Sequence, residues 1–220
     1  MLLLALDTSS AAVTAAVHDG VAVIGEHTLL GAQSHGELLA PVVRAALADA
    51  GAAPADLTQI VVGVGPGPFT GLRVGIVMGQ VMGLALGIGV GGVCSLDALA
   101  WLARHHGTVA GPFAVATDAR RKEVYLATYD AHGVRLTGPE VVLPGDMPEE
   151  VRNGQLVGAG AQLYRGLCLD VRGPQLVSGA AVASYAVAVL HAGYDLPAPT
   201  PLYLRQPDAV PSVGSKKVLS

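Results

Sequence analysis

Aromatic residues make up 4% of this 220-residue chain and charged residues 14%; cysteine occurs twice and tryptophan once. With so few rings, the core must be assembled from Ala, Val and Leu packed at short range. Cys94 and Cys168 lie far apart and outside any ligand spacing, which excludes a disulfide framework and a cysteine-based zinc site. A basic excess is also missing: the formal net charge is -4, and Arg120-Arg121-Lys122 is the one local cationic cluster. Proteins that grip nucleic acid alone carry a basic face, so nucleic acid is expected only through a partner that supplies the positive charge. The opening "MLLLALDTSS" has no basic flank, and Asp7 interrupts it too early for a signal peptide. Residues 72–93 are long enough to cross a bilayer, but Arg73, Gln80 and the many glycines argue against a span. The expectation is a soluble, cytoplasmic protein.

What the chain has in abundance is apolar residues, 51% of the total, and glycine, 29 residues. Gly63, Gly67, Gly71, Gly75, Gly79, Gly83, Gly87 and Gly91 fall on an unbroken spacing of four. Each glycine inside a helix costs about 1 kcal/mol relative to alanine. Side chains four apart share a helix face, so Gly71, Gly75, Gly79 and Gly83 form a bare groove that admits a close neighbour. Between them stand Leu72, Val74, Ile76, Val77, Met78, Val81, Met82 and Leu84, and a helix apolar on all sides needs cover on all sides. Two covers are open for the groove: the chain's own helix over 34–50, or a second protein.

Pattern and turn signals predict strands over 2–6, 12–18 and 21–28, the last two joined at Asp19-Gly20. They predict a helix over 34–50, a buried strand over 60–64 and the glycine helix from about Thr70, which caps it. A short strand over 88–93 then leads into a helix capped by Ser95. At residue 113 the opening returns: Asp7, Val13 and Asp19 match Asp118, Val124 and Asp130, all displaced by 111 positions. The chain therefore reads as a duplicated α/β unit. It divides into a lobe over 1–106, a lobe over 107–204 whose last helix (181–192) packs back on the first, and a flexible tail over 205–220. "PAPTPLYLR" reads as an extended edge piece.

Taken together, "LALDTSS", "GPGPFTGLRVG" and "DARRKEVY" resemble the TsaB (YeaZ) family, a subunit of the bacterial machinery that makes N6-threonylcarbamoyladenosine in tRNA. The resemblance runs to "PLYLR", with Pro68 where the family more often has serine. It implies a two-lobe fold like that of actin, Hsp70 and sugar kinases (ASKHA), with mixed sheets flanked by helices. It also implies a non-catalytic partner that supports TsaD in threonylcarbamoyl transfer to adenosine 37 of ANN-decoding tRNAs, with TsaE as a third, ATPase subunit and a homodimer in isolation. The implied interface lies on the helix after "GPGPFTGLR" and the one before it: His35, Leu38, Leu39, Val42, Thr70, Gly71, Arg73, Val74, Gly75, Met78, Gly79 and Met82.

A vestigial or shared nucleotide site is implied at Asp7, Thr8, Ser9, Asp118, Arg120, Gly158 and Gly160, with ATP or ADP and Mg as its occupant and nothing tightly bound. The local alternative is a turn in which Asp7 and Ser9 hold nearby backbone N–H groups. TsaD holds its metal on two histidines spaced i, i+4; here His35 is followed four residues on by Leu39, so no metal is expected. The alternatives are a small ASKHA phosphotransferase or ATPase using Asp7 and Asp118, and, less favoured, a glycoprotease-like peptidase. The latter lacks a G-x-S-x-G elbow and a metal motif.

Overall fold

The structure, a computed structural model, describes residues 1–31 and 34–205. The tail expected over 205–220 lies outside the described residues except for Arg205, which pairs with Glu123. In the first half, β1 (Leu3–Asp7), β2 (Ala12–His18) and β3 (Val23–Leu30) form an antiparallel meander. α1 (His35–Asp49) leads to β4 (Gln59–Gly63), which joins β1 in parallel. α2 (Phe69–Leu86) returns the chain to β5 (Gly89–Val93), and α3 (Ser95–His105) closes the half. The sheet order is β3-β2-β1-β4-β5.

The second half repeats this plan with β6 (Phe113–Asp118), β7 (Val124–Tyr129), β8 (Arg135–Val142), α4 (Glu149–Asn153) and β9 (Gln155–Val157). α5 (Ala159–Leu163), β10 (Asp170–Arg172) and α6 (Gly179–His191) complete it, and the sheet order is β10-β9-β6-β7-β8. Strand for strand this is the first sheet again, so the duplication suggested by the 111-residue offset is a property of the topology.

Strand alternation distributes the core into layers. Leu4 and Leu6 of β1 point to α1 and α2 in one apolar cluster, and Leu3 and Ala5 point to α3 and α6 in another. A third, smaller cluster lies between the second sheet and α4 and α5. The middle layer is exchanged between halves. α3, from the first half, packs on β6 and β9, whereas α6, from the second, packs on β1 and β2. Hydrogen bonds pin α6 there: Gly179 N donates to Thr14 Oγ1 (2.7 Å) and Ala180 N to Glu26 Oε1 (2.9 Å). Ser178 caps the same helix by accepting from Ala181 N at 3.1 Å.

After α6, residues 194–205 run as a strap along the edge of β5. Gly92 N donates to Pro197 O (2.8 Å) and Leu202 N to Val64 O (2.8 Å). The strap comes this close because β5 presents glycine: a Cβ on Gly91 would stand 2.5 Å from Leu196 Cβ.

Candidate functional site

Two places gather the residues singled out in the sequence: the junction between the lobes and the helix layer of α1 and α2. At the junction, β1 ends on Asp7, whose carboxylate is fully buried. Its Oδ1 accepts from Ser9 N (2.8 Å) and Ser9 Oγ (2.7 Å), and its Oδ2 from Ser95 Oγ (2.6 Å). Ser95 Oγ in turn accepts from Gly65 N at 3.2 Å. Burial pushes the Asp7 carboxyl upward, opposed by the hydrogen bonds from Ser95 and Ser9. Gly63 is required beside it, because a Cβ there would lie 1.8 Å from Asp7 Oδ2.

Asp7 is therefore a knot tying β1, β4 and α3 together, not a group facing Asp118 across open space. This corrects the kinase-like arrangement and supports the local turn. Ser95 is likewise not the cap of α3: Cys94 holds the cap position, and the Ser95 hydroxyl serves Asp7.

Thr8, also buried, donates to Gly71 O (2.8 Å) and accepts from Gly75 N (3.1 Å), pinning α2 to the strand end. Asp118, at the end of β6, is half-buried; its Oδ1 accepts from Arg120 N (2.8 Å) and its Oδ2 pairs with Arg120 Nη1 (3.2 Å). Arg120, Arg121 and Lys122 all take left-handed φ values of 61°, 51° and 63°, a strained turn for side-chain-bearing residues.

Ser9, Asp118, Arg120 and Gln175 line a cleft between the lobes of about 110 Å³. Small-molecule pockets are typically about 300–1,000 Å³, so this cleft is small by that measure. Gly158 and Gly160 pack tightly on β6: a Cβ on Gly158 would lie 2.4 Å from Ala116 O, and one on Gly160 2.8 Å from Thr117 C. Among the described residues no three His, Cys, Asp or Glu groups converge to hold a metal ion.

In the helix layer, the glycines face inward. Added Cβ atoms would stand 2.7 Å from Thr8 O at Gly71, 2.6 Å from Thr8 Oγ1 at Gly75, 2.4 Å from Val62 Cγ1 at Gly79 and 2.2 Å from Val90 Cγ2 at Gly83. The groove is filled by the chain's own first sheet and by Thr8 just after β1, with α1 reaching it only through His35 at Gly71, and this corrects its reading as a docking groove. Leu39 and Val42 are fully buried in the same layer, so they, with Gly71, Gly75 and Gly79, are not available to a partner. His35 is buried with Nε2 at 2.8 Å from Ser10 O. Leu38 is half-buried against Gly31.

What remains outside is the opposite face of α2. Thr70 and Arg73 are exposed there, as are Val77 (53%), Val81 (58%) and Leu84 (86%), with Val74, Met78 and Met82 half-buried beside them. α2 has the length and hydropathy to cross a membrane, but its glycine face is seated on the sheet. Thr70 is not the cap, since Pro68 precedes the helix. At the first turn, Arg73 Cζ lies 3.8 Å from the Phe69 ring centroid, and its Nε donates to Tyr203 Oη at 2.9 Å. Phe69 and Tyr203 rings sit 4.7 Å apart. Sequence reasoning missed Tyr203, because nothing in "PLYLR" says where the strap ends.

Two matched five-stranded sheets, an exchanged helix layer and a strand-end aspartate at each junction define a duplicated two-lobe α/β protein. Within that class the chain belongs to the TsaD (tRNA N6-adenosine threonylcarbamoyltransferase) family, whose model matches residues 26–207, and it is of the TsaB (YeaZ) type. It is 30% identical to YeaZ from Pseudomonas aeruginosa, with a TM-score of 0.78 over 92% of this chain and 99% of that one. A second Pseudomonas aeruginosa structure, described as an uncharacterized protein with similarity to peptidase YEAZ, is 28% identical with a TM-score of 0.79, over 93% of this chain and 99% of that one. An uncharacterized protein of Mycobacterium tuberculosis (strain ATCC 25618 / H37Rv) is 44% identical over 216 residues, 94% of this chain and 93% of its own length.

Proposed function

We propose that this chain is a partner subunit that holds a TsaD-type enzyme in its productive arrangement for threonylcarbamoyl transfer to adenosine 37 of ANN-decoding tRNAs. The observation that carries the proposal is the outer face of α2. Its inner face is stitched to the sheet by glycines and Thr8, so Val77, Val81 and Leu84 are held outward on a rigid rod with Arg73 fixed at one end. A contiguous exposed apolar face beside a fixed arginine has the composition of a protein-binding surface. In isolation, two copies of the chain cover this face by pairing.

Catalysis belongs to the partner in this reading. Asp7 is sealed in hydrogen bonds, His35 is engaged by a backbone carbonyl, and the interlobe cleft is smaller than most ligand pockets. A nucleotide with Mg requires a second protein's surface to complete its site, and a TsaE-type ATPase acts on the assembled pair. tRNA is met only through the complex, in the cytoplasm, without a membrane.

The test is reconstitution. Modified tRNA should form with the TsaD-type enzyme, the TsaE-type ATPase and this chain, and fall to background when this chain is omitted. Full-rate modification without it would refute the proposal. The V77E/L84E double variant should keep its melting curve and lose partner binding by about tenfold to a hundredfold, since central apolar contacts are commonly worth 1–3 kcal/mol.

A further inference from the structure

A second cavity, of about 420 Å³, lies at the far end of the exchanged helix layer, where α3, α6, the start of β8 and the strap meet. Most of its wall is apolar, with Val64, Val189, Leu196 and Leu202 contributing. Three groups of different chemistry also line it: Asp97 from the first turn of α3, Arg135 from β8 and Tyr185 from α6.

The Asp97 carboxylate is held in place. Its Oδ1 accepts from Tyr129 Oη at 2.9 Å and lies 3.4 Å from Arg135 Nη1. Arg135 has no other ion pair and no side-chain hydrogen bond among the described residues, which leaves most of its N–H donors unused. The Tyr185 hydroxyl likewise makes no hydrogen bond among the described residues, and burial pushes it up to about 12, so it stays a donor. The Cys94 thiol in the same wall is pushed up to about 12, chiefly by burial, so the cavity holds no thiolate nucleophile.

An anion alone suits this arrangement poorly, because Asp97 stands beside Arg135, the only cation among the described lining residues. An amine alone has the opposite defect at Arg135. A molecule bearing both charges at short range, with an apolar body, meets every group at once. We propose that this cavity binds a free aliphatic α-amino acid, its carboxylate on Arg135 and Tyr185, its ammonium on Asp97, and its side chain against Val189, Leu196 and Leu202. Volume agrees, since about 420 Å³ lies at the small end of ligand pockets.

Titration calorimetry on the full chain with L-leucine, 4-methylpentanoate and isoamylamine tests the assignment; the last two keep the isobutyl side chain and lack one charged group each. L-Leucine should bind saturably at millimolar concentrations, and each analogue about tenfold more weakly, as expected for loss of one charge-assisted contact. R135Q should weaken leucine similarly. D97N keeps an acceptor for Tyr129, and Y185F removes only a hydroxyl, so both should fold and both should bind leucine less well. Absence of saturable leucine binding to the wild-type chain would overturn the proposal, as would equal binding of 4-methylpentanoate or unchanged affinity in folded D97N and Y185F.

Discussion

The two lobes share a strand plan and differ in what they do with its corners. The hairpin corners are alike. Asp19 Oδ1 accepts from Val21 N and Ala22 N, and Asp130 Oδ1, its counterpart, accepts from His132 N and Val134 N. In both, these backbone donors hold the exposed carboxyl below its usual range. The strand-end corners diverge. Asp7 is sealed among Ser9 and Ser95, whereas Asp118 is half-exposed and braces a strained cationic turn. The helices after β4 and β9 diverge further: α2 has 18 residues and lies in glycine-deep contact with its sheet, while α5 has 5. A duplicated framework has thus been specialised into a rigid platform on one side and a thinly covered sheet on the other.

The largest expected effect breaks the platform itself. Gly75→Leu must displace Thr8 from the strand end, and overpacking of this kind costs about 1–3 kcal/mol or more. Because Thr8 also loses both hydrogen bonds, the variant should fail to give a cooperative thermal transition. Gly145→Leu in the second lobe, where nothing lies within 4 Å of the added Cβ, should melt with the wild type. A normally folded Gly75→Leu would show that the inward packing of α2 is wrong.

The next effect separates the two aspartates. Asp7→Ala leaves Ser9 and Ser95 donors buried without an acceptor, a loss of about 3–5 kcal/mol in urea unfolding. Asp118→Ala removes a solvent-screened pair and one turn hydrogen bond, about 0–1 kcal/mol. Equal losses would erase the distinction between the corners.

The smallest is a pH effect. The folded-state carboxyl of Asp7 lies above its ordinary value of 3.8, so the folded protein binds the proton more tightly than the unfolded chain does. Its contribution is fully present below pH 3.8 and is lost as pH rises through the elevated folded value. Asp7→Asn removes that titration. The stability of wild type relative to this variant should therefore decline as pH rises through the window; a flat difference would mean the hydrogen bonds balance burial, and a rising one that they outweigh it.

The duplication was legible because it rests on backbone logic: an aspartate ending a strand and another at a hairpin corner recur at a fixed offset. Close approach along α2 was legible too, since repeated glycine has few other uses. Its direction was not. Glycines four apart give a bare face, but with apolar residues on nearly every other position there was no polar side to point to solvent, and only the positions of Thr8, Val62 and Val90 decide the matter. β8 was missed because "RLTGPEVV" places Gly138-Pro139 inside a mostly exposed strand, and β10 because three residues carry no period. The cavity at Asp97 brings Asp97, Arg135 and Tyr185 together from three distant stretches of chain, and no local pattern announces such a meeting.

The exchanged helices have a mechanical consequence. A two-lobed enzyme that clamps shut on its substrate needs a hinge, with each half free to swing as a body. Here each half wears the other's helix, so any swing would tear α3 from β6 and α6 from β1 in one stroke. The two halves are thereby fastened to each other at two places, and in the role proposed above a docking neighbour would meet them as a single body.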